Sequence, residues 1–249
     1  MRRIVPILIL ILVPALFSFA QEPDFQSMLR EIDEIGNFSG EDFSCIYTIV
    51  SEKPGEDQEV TQARMFRRDA TDQFLILILK PEVQKGQGYL QVDDNVWFYD
   101  PESRKFSHSS LKENIQNSDA KNADLNESSL AEDYQVIEWE EGTLGSFPVY
   151  ILKLEALNDE VAYPELKMWI RKDRAIVLKN EDYSLSGRLM RTSYYPKYIQ
   201  VGDKLLPSQI LIIDELREGE RTQVTMRDAT TARLPDAVFT KAYLERVNN

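Results

Sequence analysis

Residues 88–106 read GYLQVDDNVWFYDPESRKF, and this stretch decides the fold. Two short runs rich in aromatic and β-branched residues flank the polar turn Asp93-Asp94-Asn95, a pattern typical of a β-hairpin. Such side chains fit a pleated, half-buried sheet surface. Pro101 lacks the backbone N–H that a strand interior needs, so we expect the second strand to end before it. The stretch therefore predicts two antiparallel strands joined by a tight turn.

The chain on either side of this hairpin supplies further strands, separated by short polar turns. Upstream, segments 43–50, 60–68 and 74–79 have strand-like composition. Segment 74–79 is apolar on both alternating faces, which predicts a strand covered on both sides. Downstream, the predicted strands are 136–139, 147–154, 166–171, 176–180, 189–195, 198–201, 205–213 and 223–226. Strands without long intervening helices indicate an antiparallel sheet that curls or closes.

Two segments do not fit the strand pattern. The apolar residues of segment 25–35 recur at helical spacing, and Gly36 is placed to end the helix. This spacing predicts one helix that lies with its apolar stripe against the sheet. Segment 107–133 is rich in Asn, Ser, Asp, Lys and Glu. It is too long for a simple turn, and its composition predicts a mobile flap or marginal helix that is too polar to be core.

The first twenty residues predict a secretory signal peptide. Two arginines precede an apolar run that ends in the small-x-small cleavage site Ser18-Phe19-Ala20. The run is shorter than the roughly 20 apolar residues of a transmembrane helix. Residue 21 is Gln21, so the cleaved chain lacks an N-terminal cysteine for lipid attachment. We therefore expect a signal peptide at 1–20 and a single exported, soluble domain at 21–249.

Composition restricts the partners and the chemistry. The chain carries a formal charge of −13, and nucleic-acid binding needs a basic face, so we expect no nucleic-acid partner. Cys45 is the only cysteine and His108 the only histidine. The chain therefore cannot form an intramolecular disulfide, and it lacks the residues of the usual zinc sites. We expect no cofactor and no bound metal ion.

Catalytic interpretations have little support in the sequence. His108 lies in the polar segment with no partner of a nucleophilic triad apparent, and we interpret it as a surface histidine. Glu138, Glu140 and Glu141 stand beside Trp139, and a glycosidase needs a pair of carboxylates, but the same residues suit the end of a strand. We therefore expect a protein that is not an enzyme, and activity on glycans is the third hypothesis.

Three motifs resemble the LolA-like family of outer-membrane lipoprotein-sorting proteins. Segment 96–101, VWFYDP, resembles the family's Trp-Phe-Tyr-Asn-Pro segment, with Asp100 in place of the Asn. Segment 80–90, KPEVQKGQGYL, resembles its Pro-x-x-(x)-Gly-x-x-Leu segment. Segment 234–240, LPDAVFT, resembles the motif that precedes a short helix at the end of these proteins. The matches cover most of residues 74–106 and 147–245.

The resemblance implies a mainly β fold with a few helices, an incomplete antiparallel β-barrel covered by helices. It also implies a periplasmic carrier of lipid or lipoprotein acyl chains, working between an inner-membrane donor and an outer-membrane acceptor protein. Each CH₂ kept from water is worth ~0.8 kcal/mol, so such a cargo needs an enclosed apolar site. The alternative is a periplasmic sensor or regulatory module of the same fold that binds a protein or lipoprotein. We expect a monomer.

Strand alternation gives two candidate linings for such a site. Trp97 and Tyr99 share one face of the hairpin strand, and Val96 and Phe98 share the other. Alternation does not decide which face looks inward, and we take Trp97 and Tyr99 as the inward pair. Together with residues paired in the same way on other strands, the candidate acyl-chain site comprises Ile76, Ile78, Leu90, Val92, Trp97, Tyr99, Ile210 and Ile212.

Overall fold

The computed structural model describes residues 23–92, 95–126, 128–159 and 161–247. The predicted signal peptide and two residues of the predicted hairpin turn, Asp93 and Asp94, lie outside the described residues. The α-helices are α1 (Phe25–Gly36), α2 (Leu130–Asp133) and α3 (Lys241–Val247). The β-strands are β1 (Phe43–Glu52), β2 (Glu59–Arg68), β3 (Gln73–Lys80), β4 (Gly88–Val92), β5 (Asn95–Asp100), β6 (Lys105–Ser109), β7 (Tyr134–Leu144), β8 (Phe147–Ala156), β9 (Glu165–Arg171), β10 (Val177–Tyr183), β11 (Leu189–Val201), β12 (Lys204–Asp214) and β13 (Arg221–Thr230).

These strands form one antiparallel sheet in the order β6-β5-β4-β3-β2-β1-β13-β12-β11-β10-β9-β8-β7. Each half of the chain is a meander, and the pairing of β1 with β13 joins the halves, with Ile49 opposite Val224. Strands β6 and β7 are the two edges and do not pair with each other, so the barrel is incomplete. The prediction of a mainly β, incomplete antiparallel barrel with a few helices is confirmed.

The hairpin of β4 and β5 forms as predicted, with Leu90 opposite Trp97, and β5 ends directly before Pro101. The sequence did not predict that β6 would add to this hairpin. Strand β6 consists mostly of polar residues, which suits an edge strand that is mostly exposed. Segments 189–195 and 198–201 are one strand rather than two, with a shift of register around Pro196.

Helix α1 confirms the helix predicted for segment 25–35. Asp24 caps it, because the Asp24 carboxylate accepts the backbone N–H of Ser27 at 2.9 Å. Phe25 and Leu29 are buried against β7–β10 together with side chains such as Leu152. We call the side of the sheet that α1 covers the inner face.

The crossing segment, residues 110–126 and 128–129, runs over the inner face from β6 at one edge towards β7 at the other. The prediction that this stretch is too polar to be core is wrong. Ile115 is fully buried and Leu125 is 2% exposed. The Ile115 N–H donates to the Ala120 carbonyl at 2.7 Å, and the Asn122 amide donates to the Ser110 carbonyl at 2.9 Å. Several of its polar groups therefore bond within the segment while a few apolar side chains pack on the sheet.

The opposite side of the sheet, the outer face, is covered by the end of the chain. Phe239 and Leu244 are buried there against Leu75, Leu90 and Tyr99. Strand β3 is therefore covered on both sides, as predicted, by the crossing segment on the inner face and by α3 on the outer face.

Arg68 fixes the segment that leads into α3. Its guanidinium donates to the Asp42 carboxylate at 2.8 Å, to the Leu234 carbonyl at 2.7 Å and to Asp236 at 2.6 Å. The Asp42 carboxylate in turn accepts the Leu234 N–H at 2.6 Å. This cluster joins the end of the chain to the strand that begins the sheet.

Candidate binding cavity

A cavity of about 270 Å³ lies on the inner face, between the sheet, α1 and the crossing segment. Ile32 and Ile35 of α1 and Leu125 of the crossing segment form one wall. The sheet contributes Leu166, Met168, Val177, Tyr195, Tyr198, Leu206, Ile210 and Met226. Pockets for small molecules commonly measure about 300–1,000 Å³ and are mostly apolar. The cavity therefore has the character of a binding site and a size that suits part of one ligand.

The eight residues predicted to line an acyl-chain site divide between the two faces. The inner core cluster contains Ile76, Ile78, Ile210 and Ile212. The outer cluster beneath α3 contains Leu90, Val92 and Tyr99. Trp97 is also on the outer side, where the Lys241 Nζ lies 3.1 Å from the ring centroid.

Trp97 and Tyr99 are therefore not the inward pair. Of the eight residues, Ile210 lines the cavity. A ligand contact by any of the eight stays a prediction.

One end of the cavity is polar, which the sequence analysis missed. Asp124 of the crossing segment and Asn180 of β10 line this end. Behind them, Arg191 of β11 donates two hydrogen bonds to Asp124, at 2.7 and 2.6 Å, and its Nε bonds the carboxylate of Asp182. The bidentate bond to Asp124 anchors the crossing segment to the sheet.

Burial sets the protonation behaviour of this network. Asp182 is 1% exposed, and desolvation raises the pKa of its carboxyl group, although Arg191 opposes the shift. Burial works against the charge of Arg191, but Asp124 and Asp182 more than offset it and hold the pKa of Arg191 well above its ordinary value. Asp124 and Asp182 therefore stabilise the charged form of Arg191, and Arg191 partly offsets the cost of burying a charge on Asp182.

The side-chain oxygen of Asn180 has no hydrogen-bond partner among the described residues. The Asn180 Nδ2 donates to Asp182 Oδ1, and because a carboxylate only accepts, this bond fixes which amide atom is nitrogen. Asn180 is one of the cavity-lining residues, and its side-chain oxygen is itself buried. Asn180 is 8% exposed, and an unpaired buried acceptor costs about 1–3 kcal/mol.

Arg67 of β2 also lines the cavity. Its guanidinium bonds the Asp69 carboxylate at 3.0 and 2.6 Å and donates to the carbonyl of Gly36 at 3.0 Å. A cation at the C-terminal end of a helix interacts favourably with the unpaired carbonyls there. Arg67 therefore holds the end of α1 against the sheet and closes one side of the cavity.

The residues of the two catalytic hypotheses have structural partners. Glu141 pairs with Lys172 at 2.6 Å, and the Trp139 ring packs 5.1 Å from the ring of Phe25. The His108 ring lies 4.2 Å from that of Trp97 on the neighbouring strand.

One group of three carboxylates occurs among the described residues. Oxygen atoms of Asp119, Asp214 and Glu220 lie within 4.8 Å of one another. The Arg217 guanidinium lies 3.1 Å from Glu220, and the Thr222 hydroxyl donates to Asp119 at 2.9 Å. The cluster is thus partly neutralised by the protein itself. Among the helices that the structure describes, none has the length and apolar character to cross a membrane.

The fold is similar to solved structures over most of its length. A LolA superfamily protein from Nitrosomonas europaea is 25% identical with a TM-score of 0.75, over 88% of this chain and 98% of that one. A domain from Vibrio parahaemolyticus, described as an outer membrane lipoprotein-sorting protein, is 19% identical with a TM-score of 0.76, over 89% and 98% of the two chains. A DUF1329 family protein from Desulfovibrio piger is 19% identical with a TM-score of 0.77, over 88% and 97%.

A family model described as an uncharacterized protein matches residues 70–246. The chain belongs to that family, and it is LolA-like. The resemblance read from the motifs is therefore confirmed. The LolA-like fold also explains why the cavity lies between the sheet, α1 and the crossing segment, because the open side of a half-barrel has to be covered. A search of curated proteins found no match to the chain.

Proposed function

We propose that this LolA-like protein is a periplasmic carrier that shields an acyl chain of a lipid or lipoprotein in the inner-face cavity, without catalysis. Its partners would be an inner-membrane donor and an outer-membrane acceptor protein. The observation that carries the proposal is a mostly apolar cavity on the open side of a LolA-like half-barrel. Each CH₂ taken from water gains ~0.8 kcal/mol, so such a cavity favours hydrocarbon.

The carrier has to enlarge this cavity for a long chain. A volume of about 270 Å³ holds only part of a lipid. Ile76, Ile78 and Ile212 continue the apolar surface of the inner face, and they belong to the cluster that Ile115 and Leu125 of the crossing segment complete. We propose that cargo displaces the crossing segment and uses these isoleucines as further lining. Ile210 would then contact cargo in both states.

The test is a variant that fills the cavity. Ala175 lines the cavity and is 5% exposed. In Ala175→Phe the added ring takes up ligand space, so we expect uptake of a fluorescent fatty-acyl probe to fall at least tenfold. Where the ring does not fit, overpacking costs about 1–3 kcal/mol, which a thermal melt detects. A second filling variant, Met168→Trp, acts from β9 in the same cavity.

Trp97→Ala is the matched control, because it removes an aromatic ring from the outer face. We expect it to bind the probe as the wild-type protein does. The proposal fails if wild-type protein takes up no probe, or if both filling variants fold and still bind with unchanged affinity.

A further inference from the structure

We infer that the free edge of β7 binds an extended, basic segment of a partner protein, which adds to the sheet as one more strand. The segment carries Lys or Arg at alternate positions, with an apolar residue between them. The residues of β7 that select it are Glu138, Trp139 and Glu140. The inference goes beyond the proposed carrier function, because strand addition at this edge does not depend on what the cavity holds.

The edge of β7 is long and open. Among the strands that the structure describes, β7 pairs with β8 on one side and with no strand on the other. Backbone N–H and C=O groups along such an edge can pair with another chain. The pairing with β8 is regular from Glu138 to Leu144, which leaves a straight run for a partner. The other edge strand, β6, is only five residues long and contains Lys105, and both features protect an edge from further pairing.

Trp139 sets the character of the inner side of this edge. Its ring packs 5.1 Å from the ring of Phe25 and 6.2 Å from that of Tyr150, which places it on the inner face. The Trp139 side chain nevertheless remains 39% exposed. An apolar side chain opposite Trp139 on an added strand would cover this exposed surface and extend the inner apolar cluster. The middle position of the partner segment is therefore apolar.

The outer side of the same edge is acidic. Because side chains alternate along a strand, Glu138 and Glu140 lie on the outer face, on either side of Trp139. Glu138 stands opposite Lys153 of β8, and Glu140 lies 3.5 Å from Lys167 of β9 while staying 62% exposed. An added strand would place its own outer-face side chains beside the two glutamates. Opposite charges paired across strands are stabilising, so the partner segment is basic at these two positions.

The same charges disfavour a second copy of this chain at the edge. Two β7 strands paired about a two-fold axis at Trp139 would place Glu138 of one copy opposite Glu140 of the other. Like charges directly opposite each other destabilise a strand pair. The formal charge of −13 on the whole chain also attracts a basic segment and repels another acidic molecule.

The test uses three short peptides labelled with a fluorescent dye, whose binding to the wild-type protein is followed by fluorescence anisotropy. Thr-Lys-Val-Lys-Val-Lys-Thr has the inferred pattern and reads the same in both directions, so it tests parallel and antiparallel pairing alike. Thr-Glu-Val-Glu-Val-Glu-Thr reverses the charge, and Thr-Lys-Pro-Lys-Pro-Lys-Thr keeps the charge but lacks N–H groups that a strand needs. We expect the Lys/Val peptide to bind about tenfold tighter than either control. Amide hydrogen exchange should show new protection in residues 138–144.

Charge reversal on the protein locates the site. The double variant Glu138→Lys with Glu140→Lys should lose the Lys/Val peptide and prefer the Glu/Val peptide. The matched control is Glu56→Lys with Asp57→Lys, which makes the same change in net charge on the exposed loop between β1 and β2. The control should keep the wild-type preference. All four side chains are exposed, and thermal melts check that both variants fold.

Four results would overturn the inference. The first is that none of the peptides binds, and the second is that all three bind equally. The third is an equal loss of binding in the two double variants, which would show general attraction to an acidic protein. The fourth is a wild-type dimer that protects residues 138–144 from exchange without peptide, which would assign the edge to a second copy. None of them bears on uptake of the fatty-acyl probe, so the carrier function is tested separately.

Discussion

At the scale of single residues, the polar end of the cavity depends on charges that compensate one another out of water. Arg191 touches two carboxylates at once, Asp124 in the crossing segment and Asp182 in β10. Replacing one member of such a group leaves a partner charged and desolvated, which costs more than the contact itself is worth. The network therefore holds together elements that are far apart in the chain.

We expect Arg191→Met to lower the free energy of unfolding by roughly 3–5 kcal/mol, because Asp182 loses its counter-charge while it stays buried. Urea unfolding followed by circular dichroism measures the change. Arg217→Met is the control, since the Arg217 side chain is 63% exposed in its ion pairs and exposed pairs are worth about 0–1 kcal/mol. Similar losses of unfolding free energy in the two variants would contradict the prediction that removing Arg191 costs more because its partners are buried.

A second residue-scale prediction concerns acid stability. Hydrogen bonds from Arg68 are the main reason why the pKa of Asp42 lies below its ordinary value, although partial burial opposes the shift. A lowered folded-state pKa contributes stability that is present above the unfolded-state value of about 3.9 and is lost as the pH falls through the folded value. Asp42→Asn should therefore cost about 1.5–3 kcal/mol at pH 7 and lose less stability than the wild-type protein below pH ~4. The measurement is the free energy of unfolding of both proteins as a function of pH. An equally steep loss in the two proteins below pH ~4 would contradict this assignment.

Much of the candidate site could not be predicted from residue types. Asn180 and Asp182 lie on the same face of a strand whose other inward residue, Val177, is apolar. In the sequence alone, that pattern fits an exposed strand face as well as it fits the polar end of a buried cavity. What decides between them is Arg191 and Asp124, which come from other parts of the chain. The inward choice of Trp97 and Tyr99 failed for a related reason, because α3 covers an apolar outer face that looks like a second interior.

At the scale of elements, the crossing segment is the part for which the prediction from the sequence was wrong. Its composition is that of a loop, yet Ile115, Ala120 and Leu125 are among the most buried residues of the inner face. Strands β1, β2 and β3, by contrast, were predicted to within two residues at each end, because alternation and turn residues are local signals. Burial of a polar segment depends on the surface that it meets, and local signals do not carry that information.

The crossing segment should therefore contribute to global stability. We expect Ile115→Ala to lower the free energy of unfolding by about 2–5 kcal/mol, the usual cost of a truncated core isoleucine. Leu185→Ala is the control, because Leu185 is 94% exposed and its truncation should change the value by less than about 0.5 kcal/mol. Near-neutral behaviour of Ile115→Ala would restore the interpretation of this segment as a mobile flap.

At the scale of the whole molecule, the barrel is open, and its inner face is covered by pieces from two places in the chain. The meander of each half followed from short turns, but the pairing of β1 with β13, which unites the halves, links residues that are far apart in sequence. Composition does not specify such a register. The resemblance to the LolA-like family predicted the incomplete barrel, because the fold of that family already includes the order of its elements. The proposed function depends on the same level, since the cavity exists only where sheet, α1 and crossing segment meet.

Native mass spectrometry of the protein, expressed with its predicted signal peptide and purified without detergent, tests the central claim most directly. We predict a monomer that has lost residues 1–20 and carries a dissociable adduct with the mass of an acyl lipid or acylated peptide. We also predict that Ala175→Phe loses the adduct, whereas Trp97→Ala keeps it. A lipid-free protein in a stable complex with another protein would contradict the carrier and favour the sensor.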